Sequence, residues 1–507
     1  MVVSARLALG AVIVPGVLLA QEPTPAGSTT KVGPANGTVI VVGGGAMGPE
    51  IYSRFIEAAG GPNALIIDIP TAGGAATYNQ NAPAVRGWKQ AGAKNVYVLH
   101  TTDKKLADTD SFPSVIAKAG GVWFEGGRQF HLADSYGGTR TEKAFHDLLA
   151  RGGVVGGSSA GASILGDFLV RGAPSSNNAI MDSPGHEKGF AFLRNVGIDQ
   201  HVVARERLPD LADSIIPKYP HLLGISEDEG TAWVVRGDTA TIIGRNKAFA
   251  YGGEATDPGK PFLTLHPGDR YNLATRRIMH RAADDSPVKL AFIDSLFKKY
   301  VDPSAGGATV LVALGGSVFV DQSYGIPAQA RYMPTTTVPQ FALGDISGVF
   351  KALCEQLPVA TPGRGGNRGR GGARSTDTPF QTCVTRGVST PIGMHKTTAT
   401  KEGGVLSNVD ELYRLALGLE NPRTYSRDTS RAGETASSSV DYSRAWQADT
   451  YHGTRRFSAY AAADGKRSAF VRYPDRHATV IVLTNDETAD AKEMADRISE
   501  RLLGSNR

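Results

Sequence analysis

A serine in a glycine-flanked motif is the first candidate for chemistry. The motif, Gly157-Ser158-Ser159-Ala160-Gly161, lies between a short apolar run, Val154–Gly156, and a helix-like segment. G-x-S-x-G in that context is typical of a nucleophile elbow, where small neighbours permit a turn sharp enough to expose the serine hydroxyl. The N-terminus of the following helix favours negative charge. Because five-residue motifs also occur by chance, Ser159 requires a base before the sequence predicts catalysis.

The best candidate base is His201, in the segment Asp199-Gln200-His201. A serine hydroxyl is a poor nucleophile near neutral pH, so a neutral imidazole must take its proton and an acid must hold that imidazole in the right tautomer. Candidate acids stand at Glu227-Asp228-Glu229, just before the predicted strand Thr231–Val235. A triad is defined by geometry and not by chain order, so the sequence predicts a serine, histidine and acid constellation.

Two arginines follow the histidine and suggest an acidic substrate. Arg205 and Arg207 are two residues apart, so on an extended segment both guanidinium groups would point to one face and could pair with a carboxylate. The alternative is that one or both form structural ion pairs with Glu206 or Asp210.

A second glycine motif competes with the first. Gly43, Gly45 and Gly48 follow the first predicted strand in a G-x-G-x-x-G pattern, and Asp68 ends the second strand, where a ribose-binding acid would lie. The alternative is a structural role, in which these glycines only turn the chain tightly at the edge of the sheet. We favour that interpretation and expect no nicotinamide cofactor.

The elements that must position these residues form an α/β pattern. Short apolar runs alternate with helix-like segments such as Glu50–Ala59 and Thr141–Arg151, which predicts a mostly parallel sheet flanked by helices. The predicted strands are Thr38–Val42, Ala64–Ile69, Asn95–Leu99, Gly121–Phe124 and Val154–Gly156. Beyond them, Ala232–Val235 and Ala240–Gly244 flank Gly237-Asp238, which indicates a hairpin. We expect this domain to span residues 37–285.

The rest of the chain, residues 286–507, predicts a smaller α+β domain. It contains a helix-like segment over Ala291–Val301 and a strand pair, Thr309–Leu314 and Ser317–Asp321, around two glycines. It ends with a run at Phe470–Tyr473, a strand at Thr479–Thr484 and an amphipathic helix from about Thr488 to Leu503. A Gly/Arg-rich stretch at residues 361–375 cannot bury a core and predicts a loop, and its isolation argues against RNA binding.

Composition bounds the remaining function classes. The chain has 507 residues and a net charge of only +5, which predicts two or three domains and gives no reason to expect a nucleic-acid partner. Two cysteines cannot build a metal-binding quartet, so we expect no metal; Cys354 and Cys383 form either one disulfide or two buried thiols. Residues 1–20 resemble a secretory signal with cleavage after Ala20, and residues 21–36 a linker. The alternative is an uncleaved anchor. We expect a secreted or periplasmic protein with no membrane span after cleavage.

Taken together, the first domain resembles the cyanophycinase and aspartyl dipeptidase group of serine peptidases over about residues 38–250. The stretches that carry the resemblance are Gly43–Gly45, Trp123–Gln129, Gly157–Ala162, Asp199–His201 with Arg205 and Arg207, Leu222–Gly224 and Asp228–Ala232. The resemblance implies a Rossmann-like sheet of the class I glutamine amidotransferase type.

The resemblance also implies roles for individual residues. Ser159 would be the nucleophile, His201 the base and Glu229, rather than Glu227, the orienting acid, with the oxyanion held by the N–H groups of Gly127 and Ala160. The implied substrate pocket consists of Gln129, Asp199, Gln200, Arg205 and Arg207. The implied reaction cleaves peptides at β-aspartyl or related acidic residues through an acyl-enzyme, without a cofactor, and a homodimer is left open. Asp210 stands where the family usually has a further arginine, which weakens the case for cyanophycin, a poly-aspartate with β-linked arginines, as substrate.

The second domain resembles the serine β-lactamase and penicillin-binding-protein-like family, but in a degenerate form. Phe341–Gly348 aligns with the stretch that carries S-x-x-K, followed by Pro391–Met394 and Gly403–Ser407. Asp345 replaces the expected serine and Gly348 the expected lysine. A carboxylate without the lysine cannot act as the acylation nucleophile in the usual way. We therefore expect a catalytically inactive module that binds cell-wall material, peptides or proteins. An inactive binding protein for acidic peptides or cell-wall material is also the alternative for the whole chain.

Overall fold

The computed structural model describes residues 31–301, 307–325, 340–357, 377–420, 446–462 and 467–504. The predicted signal segment, most of the linker and the Gly/Arg-rich stretch lie outside these residues. Within them, no helix has the length and apolar character needed to cross a membrane.

Five parallel strands form the centre of the first sheet, in the order β1-β5-β4-β2-β3. They are β1 (Thr38–Val42), β2 (Leu65–Ile69), β3 (Asn95–Val98), β4 (Gly121–Phe124) and β5 (Val154–Ser158). The connecting helices are α1 (Pro49–Ala58), α2 (Pro83–Gln90), α3 (Lys104–Ala107), α4 (Gln129–Tyr136) and α5 (Arg140–Ala150), with α6 (Ala160–Ser163) after β5. Every residue of β1, β4 and β5 is buried, as expected for strands covered on both faces. The predicted helix-flanked α/β sheet is confirmed.

Four antiparallel strands extend this sheet beyond β1. They are β9 (Thr231–Arg236), β10 (Thr239–Gly244), β13 (Arg270–Asn272) and β14 (Arg277–His280). The predicted hairpin around Gly237-Asp238 is β9 paired with β10. Asp238 does more than turn the chain, because its carboxylate accepts hydrogen bonds from the backbone N–H groups of Lys31, Val32 and Gly33.

A second sheet of five strands, which the sequence analysis did not predict, completes the N-terminal part. Its strands, in the order β12-β11-β8-β7-β6, are β6 (Gly166–Phe168), β7 (Leu193–Gln200), β8 (Leu223–Glu227), β11 (Ala248–Tyr251) and β12 (Phe262–Leu265). Two helices of three residues each, α7 (Leu208–Asp210) and α8 (Ile216–Lys218), lie between β7 and β8. Because β6, β7 and β8 run parallel, β7 and β8 bring their carboxyl ends to one edge.

The C-terminal part is built on a six-stranded antiparallel sheet in the order β16-β15-β23-β22-β21-β20. Its strands are β15 (Ala308–Leu314), β16 (Ser317–Tyr324), β20 (Gln447–Tyr451), β21 (Thr454–Ala461), β22 (Arg467–Tyr473) and β23 (Ala478–Thr484). The helices are α9 (Leu290–Leu296), α10 (Ser347–Gln356), α11 (Pro379–Thr382), α12 (Val409–Glu420) and α13 (Ala491–Gly504), and a small sheet joins β17 (Phe341–Ala342), β19 (Val405–Ser407) and β18 (Thr398–Ala399). The predicted combination of helices and strands in the C-terminal part is therefore present, and its sheet is antiparallel, whereas the β-lactamase-like character and the boundary at residue 285 stay predictions.

Alternation along the strands gives this sheet two hydrophobic faces. Val310 and Val312 pack with α9 and α13, while Leu311 and Ala313 pack with α10 and α12. A disulfide between Cys354 and Cys383 fixes the end of α10 to the helical segment after α11. Of the two alternatives for the cysteines, the structure contains the disulfide.

Candidate active site

Ser159 occupies the strained turn that a nucleophile elbow requires. It follows β5 directly, precedes α6, and has φ 59° and ψ −119°, in a region that non-glycine residues rarely adopt. Its N–H donates to the carbonyl of Val42 at 3.0 Å, which ties the turn to the end of β1. The flanking glycines are needed sterically, because a Cβ at Gly157 would overlap Gly161 and a Cβ at Gly161 would overlap the Phe124 carbonyl. The serine is therefore held at the carboxyl edge of the parallel strands.

His201 and Glu229 reach Ser159 from the second sheet. His201 follows β7, and its Nε2 lies 2.8 Å from Oγ of Ser159. Its Nδ1 lies 2.6 Å from Oε1 of Glu229, which follows β8. The structure thus brings the three predicted residues into one hydrogen-bonded chain.

The ionisation of Glu229 determines which proton lies where. Burial raises the pKa of Glu229, but hydrogen bonds from His201 and His395 outweigh burial and hold the pKa well below its ordinary value. An ionised carboxylate only accepts hydrogen bonds, so Nδ1 of His201 carries the hydrogen and donates it. The Nε2 atom is then free to accept the hydroxyl proton of Ser159. This is the tautomer that a general base needs.

The G-x-G-x-x-G segment contacts this chain of residues. A Cβ at Gly44, which has φ 97°, would overlap the imidazole of His201, and a Cβ at Gly45 would overlap the carboxylate of Glu229. Because Gly44 and Gly45 have no side chain, His201 and Glu229 can lie directly against the backbone there. Asp68 is fully buried, and burial, followed by the charge of Glu125, raises its pKa. The tight-turn interpretation fits these contacts, whereas a ribose-binding role for Asp68 does not.

The predicted oxyanion donors border the serine. Gly126 packs against Ser159, since a Cβ on it would lie 3.2 Å from Cβ of Ser159. At Gly127, φ is 149° and a Cβ would overlap the Ala72 carbonyl, so the backbone can pass there only as glycine. Ala160 is the first residue of α6. Their role as oxyanion donors stays a prediction.

Three of the predicted pocket residues are buried and hydrogen-bonded in ways that the sequence did not indicate. Asp199 forms a two-pronged ion pair with Arg171, with Nε and Nη2 each 2.8 Å from a carboxylate oxygen. Gln129 donates to the carbonyl of Val170 at 3.3 Å. Gln200 lies 3.5 Å from Oγ of Ser163, and its Oε1 is buried without a hydrogen-bond partner among the described residues.

The expectation that Arg205 and Arg207 share one face of an extended segment is wrong. Residues 201–207 form a turn, in which the N–H of Arg205 donates to the carbonyl of His201 and Glu206 has φ 57°. This turn leaves Arg205 exposed and buries Arg207. The proposed structural ion pairs are also absent from the described residues, because Glu206 pairs with Lys396 and Asp210 with Arg171.

Arg207 is the most unusual cation of the site. Burial, followed by the charge of Arg171, lowers its pKa to about 10. Within the described ranges no carboxylate forms a salt bridge with it, although Asp199 and Asp210 are near enough to act on its charge. A desolvated cation without a bound anion is suited to receive one from a substrate.

Sequence reasoning missed two groups of contacts. One is Arg171, which neutralises Asp199 and Asp210; the rule that buried charges are paired could have prompted a search for a cation beside Asp199. The other lies 166 residues from Glu229 along the chain, where Nε2 of His395 is 2.6 Å from Oε2 of Glu229. No sequence signal points to that contact. No group of three or more His, Cys, Asp or Glu side chains in the described part of the chain is arranged to hold a metal ion.

Comparison with known proteins finds similarity to peptidases over about half of the chain. The profile of peptidase family S51 matches residues 39–243. A cyanophycinase of Geminocystis herdmanii (strain PCC 6308) is 30% identical over 271 residues, which is 48% of this chain and 96% of the relative, and one of Synechococcus elongatus is 28% identical over 274 residues, 48% of this chain and 82% of the relative. The crystal structure of a peptidase from an acI-B1 Actinobacterium is 25% identical with a TM-score of 0.37, covering 47% of this chain and 97% of that one. The resemblance read from the sequence of the first domain is confirmed.

Proposed function

Because the chain belongs to peptidase family S51, we propose that it is an exported serine-type peptidase that cleaves at β-aspartyl or other acidic residues through an acyl-enzyme. The observation that carries the proposal is the hydrogen-bonded chain from Ser159 through His201 to Glu229, with distances of 2.8 and 2.6 Å. The lowered pKa of Glu229 favours the carboxylate form, which accepts a hydrogen bond from Nδ1 of His201 as nucleophilic catalysis needs.

In the proposed reaction, Oγ of Ser159 attacks the substrate amide carbonyl while Nε2 of His201 takes the hydroxyl proton. The imidazolium is stabilised by the ionised Glu229 and then donates that proton to the leaving amine. In the second half of the reaction, Nε2 of His201 takes a proton from water, whose oxygen attacks the acyl carbon. The bond from that carbon to Oγ of Ser159 breaks, and the imidazolium returns the proton to Oγ. The backbone N–H groups of Gly127 and Ala160 would stabilise the oxyanion.

The preference for an acidic substrate rests on Arg207. Its guanidinium is buried, and burial, followed by the charge of Arg171, lowers its pKa although the charges of Asp199 and Asp210 raise it. A substrate carboxylate would supply that anion. The cyanophycinases at 26–30% identity guide only the choice of substrate class. The reason is that Asp210 stands where the family usually has a further arginine, and Asp210 is paired with Arg171.

Export is proposed from the sequence of residues 1–20 and from one disulfide. The predicted signal at residues 1–20 lies outside the described residues. The disulfide between Cys354 and Cys383 supports an oxidising compartment, since disulfides are rare in the cytosol.

A serine-reactive fluorophosphonate probe tests the chemistry. Labelling of the full chain is expected to disappear in Ser159→Ala and to persist in Ser158→Ala, a matched change at the preceding residue. Loss of a nucleophile lowers turnover by about 10⁴- to 10⁶-fold, so the comparison is decisive. Well-folded protein that is not labelled would contradict the proposal and favour a protein that only binds acidic peptides.

A panel of α- and β-aspartyl dipeptides, together with cyanophycin, tests the substrate class. Cleavage restricted to β-linked substrates is the expected result. A preference for α-linked Asp-X peptides would move the assignment to the dipeptidase side.

A further inference from the structure

The two carboxylate oxygens of Glu229 contact histidines from different parts of the chain. Oε1 accepts a hydrogen bond from His201 and Oε2 one from His395, both at 2.6 Å. His395 lies outside residues 39–243, in the C-terminal part that carries the antiparallel sheet. We propose that His395 is a positioning residue that fixes the orientation of Glu229, so that the C-terminal part completes the peptidase site. The inference rests on the function proposed above.

The loop that carries His395 is itself held rigidly. Glu411 of α12, which is buried, accepts hydrogen bonds from the backbone N–H groups of His395, Lys396 and Thr397. Arg414, one turn further along α12, donates to the carbonyl of Gly393. These three hydrogen bonds to a buried carboxylate hold the backbone at His395, and so they keep its side chain beside Glu229.

The same helix reaches the residue beside the triad acid. Arg414 donates to Asp228 at 2.6 Å, and both side chains are buried. Asp228 in turn accepts from the backbone N–H groups of Val203 and Ala204, at 3.0 and 2.8 Å, directly after His201. Through Asp228, α12 is therefore linked to the segments that carry the acid and the base of the triad.

The charges around His395 give it a distinct titration. The hydrogen bond with Glu229 raises its pKa, against burial and the charge of Arg414, and Glu411 adds to the rise. Asp228 faces the same loop but is paired with Arg414, and the neighbouring Lys396 is paired with Glu206. Protonated His395 would place a second positive charge on the carboxylate that must stabilise the His201 imidazolium. The rate is therefore expected to rise as His395 loses its proton.

Substitution at His395 separates a positioning role from a merely structural one. Hydrogen bonds to charged groups contribute enough that His395→Ala is expected to lower kcat about 10-fold or more, with KM changed by less than about 2-fold. His395→Gln keeps a donor without a titrating group, so it should recover most of kcat. It should also lose the second inflection that we expect on the acidic limb of the wild-type pH profile, where His395 loses its proton.

The matched control is His452→Ala. His452 forms a histidine–glutamate contact of the same length, 2.6 Å, with Glu500 in the same part of the chain, without contacting Glu229. The kcat of His452→Ala should equal that of the wild type. Wild-type kcat and an unchanged pH profile in both His395 variants would overturn the inference while leaving the proposed function intact.

Failure of the proposed function is detected separately. If the wild type cleaves nothing on the peptide panel, ¹³C-labelled histidines still report the contact, because Glu229→Gln should move the pKa of His395 down. No movement of the His395 titration would overturn the inference without reference to activity.

Discussion

Replacing Glu229 by glutamine should disable the proposed triad by a route that can be followed atom by atom. The carboxylate has two acceptor oxygens, each taking one imidazole N–H at 2.6 Å, whereas an amide offers one acceptor and one donor. If the NH₂ group faces His201, its Nδ1 must accept, which moves the hydrogen to Nε2 and blocks proton transfer from Ser159. If it faces His395, that ring must change tautomer instead.

The size of the loss in kcat depends on which histidine donates its hydrogen bond to the amide oxygen of the new glutamine. An amide in place of the orienting acid lowers the kcat of a serine triad by about 10⁴-fold, or about 5 kcal/mol, when the base is left in the wrong tautomer. If His395 gives way instead, the loss falls to about 10²-fold, or about 3 kcal/mol, because only the charge of Glu229 is lost. Adding His395→Ala to Glu229→Gln should remove the competition, so the two losses should combine to less than their product.

The assay is steady-state kcat for release of the amine from a β-aspartyl dipeptide, with circular dichroism as the check on folding. Glu227→Gln is the matched control. Glu227 is fully buried, and burial, followed by the charge of Asp199, raises its pKa well above the ordinary value. A protonated carboxyl resembles an amide, so this variant should keep its activity. A Glu229→Gln enzyme within about threefold of wild type, or an equal loss in Glu227→Gln, would refute the reasoning.

Three other substitutions test the surroundings of the site. Gly44→Ala should abolish kcat, because its Cβ would overlap the His201 imidazole; fluorophosphonate labelling and kcat measure this. Arg207→Met should raise KM for acidic substrates by about 10-fold or more, since a charged hydrogen bond is lost, while the melting temperature stays level or rises because a desolvated cation is removed. Arg414→Met should reduce the free energy of unfolding by about 3 kcal/mol, because Asp228 stays buried without its cation; chemical denaturation measures this.

Each of these has a control with the opposite expectation. Gly61→Ala also places alanine at a positive φ, 96°, but no atom lies within 4 Å of the new Cβ, so kcat should be retained. Arg205→Met removes an exposed cation and should change KM less than the buried change does. Lys396→Ala breaks a partly exposed ion pair, which contributes about 1 kcal/mol or less. Equal effects in a variant and its control would contradict the burial argument behind that pair.

The parts of the fold that the sequence predicted are those with an unambiguous pattern. The strands β1 and β4 are buried on both faces, so each appears as a short continuous apolar run, and these strands and the β9/β10 hairpin lie where the runs indicate. The second sheet was missed for the opposite reason. Its strand β6 has three residues, and β7 carries exposed Arg194 and Asn195 near its start. Neither segment shows a strand pattern by itself.

The candidate site divides in the same way. The three triad candidates were found because local motifs and the family resemblance mark them, and the structure brings them together; their catalytic roles stay predictions. The geometry of Arg205 and Arg207 could not be predicted from spacing, because a left-handed residue at Glu206 turns the chain between them. His395 could not be predicted at all, since its contact with Glu229 exists only when the C-terminal part docks.

That docking is concentrated on the loops that matter for the proposed reaction. Arg414 pairs with Asp228 and Lys396 pairs with Glu206. Lys247, whose carbonyl accepts from the N–H of Asp228, is half-buried and pairs with both Asp321 and Asp410. These contacts fall beside Glu229 or just after His201, and in one of them, Arg414 with Asp228, both members are buried, so the pair is costly to separate. Separation of the N-terminal and C-terminal parts would therefore displace Glu229 and His201 before it unfolded the sheets of either part.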